Sequence, residues 1–159
     1  MTMRRFSLAV VVAALPVTVG VMASVATAAP PGAIGPLPLT TREVSELTGF
    51  TSPSGNIGCY IDPNSVRCDI RERDWSPPAK PASCPEMTGW GQGLQLDVGK
   101  SADFVCAGDT ALGAGAPLAF GDTIVSGSLE CTSSPAGITC WDVDDGGEFS
   151  IARQDFHLA

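Results

Sequence analysis

The sequence contains a single histidine, His157, which stands close to the C-terminus. A serine hydrolase needs an imidazole held beside its nucleophile, and zinc sites usually recruit histidines or closely spaced cysteine pairs. The chain has no Gly-x-Ser-x-Gly elbow and no Cys-x-x-Cys motif. These absences exclude Ser-His-Asp chemistry, and they lead us to expect no cofactor and no zinc site.

Basic residues are also scarce, with 9 Lys and Arg against 17 Asp and Glu. Two of the arginines belong to the apolar N-terminal segment, and without them the formal net charge falls from −8 to −10. Nucleic acids and anionic lipid surfaces are bound through clusters of Lys and Arg. We therefore expect no nucleic-acid partner, and no membrane contact beyond the N-terminal segment.

Residues 1–28 have the pattern of a secretion signal. A basic start is followed by an almost wholly apolar run over residues 6–25, and Ala-Thr-Ala at 26–28 supplies small residues for cleavage. The mature chain would then begin near Ala29. An apolar run of about 20 residues is also long enough to stay in a membrane as an uncleaved anchor. Either outcome predicts a protein that is secreted or held in the cell envelope.

The rest of the chain divides into a lead-in and one domain. Residues 29–46 are rich in Pro and Gly at first, and Thr40 with Glu43 then fits a capping box for a short helix that reaches Leu47. Beyond it, short alternating segments are separated by turn residues, which favours an antiparallel all-β domain over residues 47–156. We expect a small sandwich or a partly open barrel.

All six cysteines lie in this domain, and an even number of cysteines behind a secretion signal predicts a disulfide framework. Two pairs are centred on turns and would face each other across β-hairpins, where Cα atoms come within disulfide range. These pairs are Cys59 with Cys68 and Cys131 with Cys140. By elimination, the third disulfide joins Cys84 to Cys106.

Phenylalanines extend the nine-residue spacing of the hairpin cysteines, since Phe50 precedes Cys59 by nine residues and Phe149 follows Cys140 by nine. The turns before these two cysteines are also alike: Ser-Pro-Ser-Gly at 52–55 and Ser-Pro-Ala-Gly at 134–137. Superposed on these middle cysteines, one unit is bonded forward and the other backward, and a phenylalanine fills the vacant position. The pattern predicts two related three-stranded units, with chance similarity of turns as the alternative.

Three aromatic residues are candidates for a binding surface. Tyr60 and Trp141 each follow a middle cysteine, so they should point to the face opposite the disulfide, and Trp90 stands between two glycines. Exposed aromatics near carboxylates suit sugar or peptide binding. The alternative is that they pack inside a two-layer core.

Four carboxylates within seven residues form a weak candidate for a Ca²⁺ site, since oxygen ligands suit this ion. They are Asp142, Asp144, Asp145 and Glu148. The EF-hand spacing is missing, and the alternative interpretation is a hairpin turn at Asp145-Gly146, where both residue types tolerate positive φ.

The leading functional hypothesis is a non-enzymatic secreted module that binds an extracellular protein or glycan, because stapled hairpins display rigid loops and no catalytic constellation is present. A second hypothesis is an envelope hydrolase that uses paired carboxylates at predicted strand ends. Its candidates are Asp103, Asp109 and Asp122. A third is a protease inhibitor that presents the loop of residues 71–78.

Several spaced motifs occur together along the domain: Phe-Thr-Ser-Pro-Ser-Gly-Asn-Ile-Gly-Cys at 50–59, Val-Arg-Cys-Asp-Ile at 66–70, Trp-Ser-Pro-Pro at 75–78, Trp-Gly-Gln-Gly-Leu at 90–94 and Phe-Val-Cys-Ala-Gly-Asp-Thr at 104–110. With the cysteines that follow, they resemble an uncharacterised family of small secreted actinobacterial proteins of mycobacterial type, a domain of unknown function. The resemblance implies an exported protein of a high-GC Gram-positive cell. It implies no activity, cofactor or catalytic residue.

Overall fold

The structure is a computed structural model that describes residues 38–159. The predicted secretion signal and the first half of the lead-in lie outside these residues. The described residues form twelve β-strands and no helix, so the all-β prediction is confirmed. Within the described range, therefore, no helix is long and apolar enough to cross a membrane.

The strands in chain order are β1 (Thr41–Glu43), β2 (Thr48–Thr51), β3 (Ile57–Ile61), β4 (Ser65–Ile70), β5 (Trp90–Asp97), β6 (Asp103–Cys106), β7 (Ala116–Pro117), β8 (Thr123–Ser126), β9 (Leu129–Ser134), β10 (Gly137–Asp142), β11 (Glu148–Ile151) and β12 (Phe156–Leu158). They form two six-stranded sheets. Sheet A has the order β1-β8-β9-β10-β11-β12, and sheet B has the order β6-β5-β4-β3-β2-β7.

Each sheet is a five-stranded antiparallel meander with one parallel strand added at its edge. In sheet A the meander runs from β8 to β12, and β1 pairs with β8 in parallel. In sheet B the meander runs from β2 to β6, and β7 pairs with β2 in parallel. The segment before each meander thus supplies the edge strand of the other one. The sheets are mixed rather than purely antiparallel, and they form a sandwich that does not close into a barrel.

All three predicted disulfides are present. Cys59 lies opposite Cys68 and Cys131 lies opposite Cys140, each with a Cα–Cα distance of 4.1 Å. The third disulfide joins Cys84 to Cys106. The predicted columns are also confirmed, because Phe50 pairs with Cys59 across β2 and β3, and Phe149 pairs with Cys140 across β10 and β11.

The topology relates the two halves differently from the sequence repeat. Both hairpin disulfides join the second and third strands of their meander, so Cys59 corresponds to Cys131, whereas the sequence repeat aligned Cys59 with Cys140. The inward column of sheet B is Phe50, Cys59, Cys68, Leu94 and Phe104. The matching column of sheet A is Ile124, Cys131, Cys140, Phe149 and Leu158. The sequence repeat and the order of strands in the meanders therefore align the two halves differently, with an offset of one strand.

The inward side chains of the two sheets form one hydrophobic core. Its largest fully buried residues, Phe50 and Phe149, come one from each sheet. Strand residues alternate between this core and the outside, as the period of a β-strand requires. The core therefore fixes which residues each sheet presents on its outer face.

The short helix expected to start at Thr40 is absent, and β1 occupies its place. The backbone N–H of Thr40 donates to Asp122 Oδ1 at 2.9 Å, and its carbonyl accepts from the N–H of Thr123 at 2.9 Å. Leu47, at the end of the expected helix, is 66% exposed. The distant strand β8 satisfies backbone groups that a capping box would have satisfied locally. The β-structure also reaches Leu158, so it extends past both bounds of the predicted domain.

The outer face of sheet B is partly covered by the chain itself. Residues 107–115, called the strap, leave β6 and cross β5, β4, β3 and β2 before they join β7. A Cβ added to Gly58 on β3 would lie 2.3 Å from the carbonyl oxygen of Ala111, and Ala111 is fully buried. The absence of a side chain at Gly58 lets the strap lie directly on the sheet.

An ion-pair network holds the strap in place. Arg67 donates from Nε and Nη2 to the two carboxylate oxygens of buried Asp69, at 2.9 and 2.8 Å. It also donates from Nη1 to Asp109 Oδ1 at 2.7 Å, and the N–H of Ala111 donates to Asp69 Oδ2 at 2.9 Å. Sheet and strap therefore share one buried carboxylate.

Candidate functional site

The outer face of sheet A is partly accessible to solvent. One row of outward residues runs in register across five strands and places Trp141 between two glutamates. The row is Glu43, Val125, Glu130, Trp141 and Glu148. None of its members is fully buried: Glu43 is exposed, and the other four are half-buried. We call this row the Trp141 row.

A second row runs beside the first and carries hydroxyl groups on five of the six strands. It consists of Thr41, Thr123, Thr132, Thr139, Ser150 and His157. The hydroxyls of Thr123 and Thr132 lie 2.9 Å apart and bond to each other. Because neighbouring strands are about 4.8 Å apart, the row offers polar groups at a regular spacing. We call it the hydroxyl row.

The polar groups around Trp141 have no partner within the described part of the chain. Among residues 38–159, the side chains of Glu130, Glu148 and Glu43 make no hydrogen bond or ion pair, and the indole N–H of Trp141 donates to no acceptor. Neither row contains Lys or Arg. Three carboxylates, one indole N–H and a line of hydroxyls therefore remain available to an external ligand.

The corresponding row of sheet B is covered by another segment of the chain. By the topological match, Glu130, Trp141 and Glu148 correspond to Gly58, Asp69 and Gly93. In sheet B this row receives the strap, with Ala111 over Gly58. In sheet A the equivalent row carries an aromatic ring and carboxylates, and its members are half-buried rather than covered completely.

The structure does not bring the three predicted aromatics together. Tyr60 is 38% exposed on the outer face of sheet B, on the side of the sandwich opposite Trp141. Trp90 is half-buried at the end of the core, with its ring 5.8 Å from that of Phe104 and its indole N–H donated to Pro78. Only Trp141 lies among free polar groups.

The weak Ca²⁺ candidate does not form a metal site. Asp142 is only 1% exposed, and its carboxylate accepts the backbone N–H groups of Gly99 and Asp144. Within residues 38–159 no three His, Cys, Asp or Glu side chains are placed to hold a metal ion. The alternative turn is present, with Gly146 at a φ of 75°. Asp145 does not have positive φ, so glycine alone provides this conformation.

A hydrogen bond from the Ser128 side chain, followed by backbone N–H groups, lowers the pKa of Asp142 despite its burial. The same direction holds for Asp109, where the hydrogen bond and charge of Arg67 lower the pKa. At Asp97, burial raises the pKa, but hydrogen bonds from Gln95 and Lys100 outweigh it and leave the pKa lowered. Every resolved carboxyl shift in the described residues therefore favours the ionised form.

The proposed hydrolase carboxylates each make a structural contact in a different place. Asp109, on the strap, pairs with Arg67 of β4. Asp122 accepts a hydrogen bond from the N–H of Thr40, and Asp103 accepts one from the N–H of Phe104. The proposed inhibitor loop is tied down in its middle, where the Trp75 indole donates to the Ala152 carbonyl at 2.9 Å. The three aspartates of the hydrolase hypothesis and the loop of the inhibitor hypothesis are therefore all held by structural contacts.

The sequence pattern singled out Trp141 but missed its neighbours. Glu130 and Thr132 flank Cys131 and therefore point away from the core, and Thr139 does the same beside Cys140. The positions of the cysteines alone predict that these three side chains point outward. Their arrangement into continuous rows required the order of all six strands, which spacing alone does not provide.

The three disulfides indicate that the fold forms in an oxidising environment. No curated protein and no solved structure is significantly similar to the chain. A family model described as a family of unknown function, DUF6636, matches residues 37–158, which is most of the sequence and nearly all of the described structure. The chain belongs to the DUF6636 family.

Proposed function

We propose that this protein is a non-enzymatic module that binds a glycan chain outside the cytoplasm, on the outer face of sheet A. The observation that carries the proposal is the position of Trp141 between Glu130 and Glu148, next to the hydroxyl row. The secretion pattern at residues 1–28 and the three disulfides support the location. We further propose that the protein acts in the envelope or outside an actinobacterial cell.

The chemistry of the face suits a sugar. An indole ring offers an apolar surface to the C–H face of a pyranose, and its N–H remains a hydrogen-bond donor. Carboxylates such as Glu130 accept hydrogen bonds from sugar hydroxyls, and threonine hydroxyls both donate and accept. The two rows together match the alternation of apolar and hydroxylated surfaces along a glycan.

A glycan fits this face better than a peptide does. Every peptide unit carries an N–H and a C=O that need partners when they are buried. The backbone groups of the central strands are already paired within sheet A, so its face offers only side chains. The hydroxyl row crosses six strands, or roughly 24 Å at a strand spacing of about 4.8 Å. This length suits an extended chain of several sugar units.

The test is retention of the oxidised protein on a panel of soluble and insoluble envelope polysaccharides. Trp141→Ala should lower the affinity for the retained polysaccharide about tenfold, which corresponds to about 1.4 kcal/mol. Tyr60→Ala is the matched control, since it removes an exposed aromatic ring from the other outer face. It should leave the affinity unchanged.

Two results would contradict the proposal. Equal losses from Trp141→Ala and Tyr60→Ala would show that the outer face of sheet A has no special role. Retention of an envelope protein through Trp141, with no polysaccharide bound, would keep the site but replace the class of ligand.

A further inference from the structure

The two Ser-Pro turns meet at one end of the sandwich and line a single cavity. Residues 52–55 connect β2 to β3 in sheet B, and residues 134–137 connect β9 to β10 in sheet A. Together with Phe120 and Arg153 they line a cavity of about 170 Å³. The two related turns therefore form opposite walls of one concave site.

A larger cavity of about 350 Å³ adjoins the first. It is lined by Ser54, Asn56, Arg71, Glu72 and Arg153, and three of these residues also line the smaller cavity. The two cavities are thus continuous, and we call them the turn cleft. The larger part alone falls within the size range of small-ligand sites, which begins at about 300 Å³.

The turn cleft contains one arginine side chain, Arg71, that makes no hydrogen bond or ion pair within the described residues. Five of the seven basic side chains in residues 38–159 bind other groups of the chain: Arg67, Arg73, Lys80, Lys100 and Arg153. Within these residues, the side chains of Arg42 and Arg71 make no hydrogen bond or ion pair. Of these two arginines, Arg71 alone lines the cleft.

No carboxylate of the described residues pairs directly with the Arg71 side chain. Glu72 is paired with Arg153, whose Nη1 lies 2.9 Å from Glu72 Oε2, and Asp74 lies 3.7 Å from Arg153 Nε. Both of these carboxylates contact Arg153 rather than Arg71. The free guanidinium of Arg71 presents a planar set of N–H donors that fits a carboxylate or phosphate in a bidentate manner.

Hydrogen bonds within the protein hold the backbone around Arg71 in place. Asn56 Nδ2 donates to the Glu72 carbonyl at 2.9 Å, and Asn56 Oδ1 accepts the N–H of Glu72 at 2.8 Å. The N–H of Arg71 donates to the Asn56 carbonyl at 3.0 Å. The backbone that carries Arg71 is thus tied to the first turn, which lowers the ordering cost of binding.

An apolar wall completes the cleft. Phe120 is 53% exposed, although it is a large aromatic residue. The smaller part of the cleft offers an exposed ring and turn hydroxyls, and the larger part offers a free guanidinium, which together suit a ligand that has both a ring and an oxyanion. We propose that the turn cleft binds a sugar ring that carries a carboxylate or a phosphate, with Arg71 on the oxyanion and Phe120 against the ring.

The test is calorimetric titration of the oxidised full-length protein with glucuronic acid, glucose 6-phosphate and glucose. At least one acidic sugar should bind more tightly than glucose, and the two acidic probes distinguish a carboxylate from a phosphate. Arg71→Gln should weaken this binding tenfold or more, and Arg71→Lys should weaken it less. Phe120→Ala should weaken it as well.

Arg42→Gln is the matched control, because it removes the other unpaired arginine outside the cleft. It should leave binding unchanged, and Arg71→Gln should melt like the wild type, since the side chain makes no contact to lose. Equal binding of glucose, equal loss from the two arginine variants, or no heat with any probe at 10 mM would overturn the proposal.

The proposal is independent of glycan binding on sheet A, because the turn cleft and the Trp141 row have no residue in common. Trp141→Ala should therefore leave the binding of acidic sugars unchanged. Loss of acidic-sugar binding in Trp141→Ala would place the site on the sheet face and would overturn the assignment to the cleft.

Discussion

The two sheets are built to one plan but present different outer faces. Each has a five-stranded meander, a disulfide between its second and third strands, and a parallel edge strand supplied by the other half. On sheet B the strap lies over Gly58 and is held by Arg67 and Asp69. On sheet A the equivalent row carries Glu130, Trp141 and Glu148 and remains partly accessible to solvent.

This difference distinguishes the residue positions that the fold requires from those that it leaves free to vary. The inward columns match residue for residue in position and are apolar or half-cystine in both sheets, since both build the same core. The outward rows do not have to match, because each outer face meets only solvent, another segment or a ligand. One face stabilises the protein internally, and we propose that the other recognises a ligand.

The largest expected effect comes from removing a central disulfide. Loop closure gives about 2.7 kcal/mol for each hairpin disulfide and about 3.4 kcal/mol for Cys84–Cys106. The hairpin sulfurs are fully buried, so their loss also leaves a cavity worth about 1–2 kcal/mol. Denaturant unfolding of Cys59→Ala/Cys68→Ala and of Cys131→Ala/Cys140→Ala should therefore show equal losses of about 4 kcal/mol.

The double variant Cys84→Ala/Cys106→Ala is the reference for that experiment, with an expected loss of about 3 kcal/mol. A larger loss here than at either hairpin would show that loop closure outweighs core burial. Unequal losses at the two hairpins, by more than about 1 kcal/mol, would contradict the equivalence of the two sheets.

The next effect tests the anchor of the strap. Arg67→Met leaves Asp69 buried without its cation, and breaking such a pair should cost about 3 kcal/mol. The equivalent residue in sheet A is Thr139, and Thr139→Val should change the free energy of unfolding by less than about 0.5 kcal/mol. Adding Asp69→Leu to Arg67→Met should restore part of the loss, since the buried charge is then removed. Chemical denaturation of the three variants measures these values, and a neutral Arg67→Met would remove the anchor from the explanation.

A smaller effect compares the two rows directly. In Gly58→Ala the new Cβ would meet the Ala111 carbonyl at 2.3 Å, and the displacement should cost about 2 kcal/mol. Limited proteolysis should then cut the strap faster than in the wild type. Glu130→Ala is the equivalent change in sheet A and should be stable to within about 0.5 kcal/mol. If both variants unfold alike, the strap does not rest on Gly58.

The cysteine spacing predicted local pairings well because a hairpin places residues by counting from its turn. Cys59 and Cys68, and with them Phe50, could therefore be placed from the sequence. The strap could not, since Ala111 reaches Asp69 across 42 residues and no periodic pattern marks that contact. The same reason explains the missed strand at Thr41, whose pairing partner is Thr123.

Neither candidate site could be predicted by counting residues from a turn. Trp141 was identified because it follows a cysteine, but its glutamate neighbours come from two other strands. The turn cleft needs the packing of both sheets to bring its two turns together. Sequence repeats marked the turns without showing that they meet.

The smallest expected effect is the acid dependence of stability, compared at one carboxylate in each half of the molecule. The pKa of Asp109 on the strap and that of Asp142 at the end of β10 are both lowered below the usual aspartate value of about 3.9. Between the folded and unfolded pKa values the unfolded chain binds more protons, so stability rises with pH in that window. The melting midpoint should be flat from about pH 7 to pH 5 and should fall as pH drops below about 4.

Each half should contribute separately to this fall. Asp109→Asn and Asp142→Asn should each flatten the acid slope of the melting midpoint, because each removes one carboxylate whose ionised form is favoured by folding. If Asp109→Asn alone flattens the slope, the acid sensitivity belongs to the strap, and the two sheets differ in electrostatics as well as in cover.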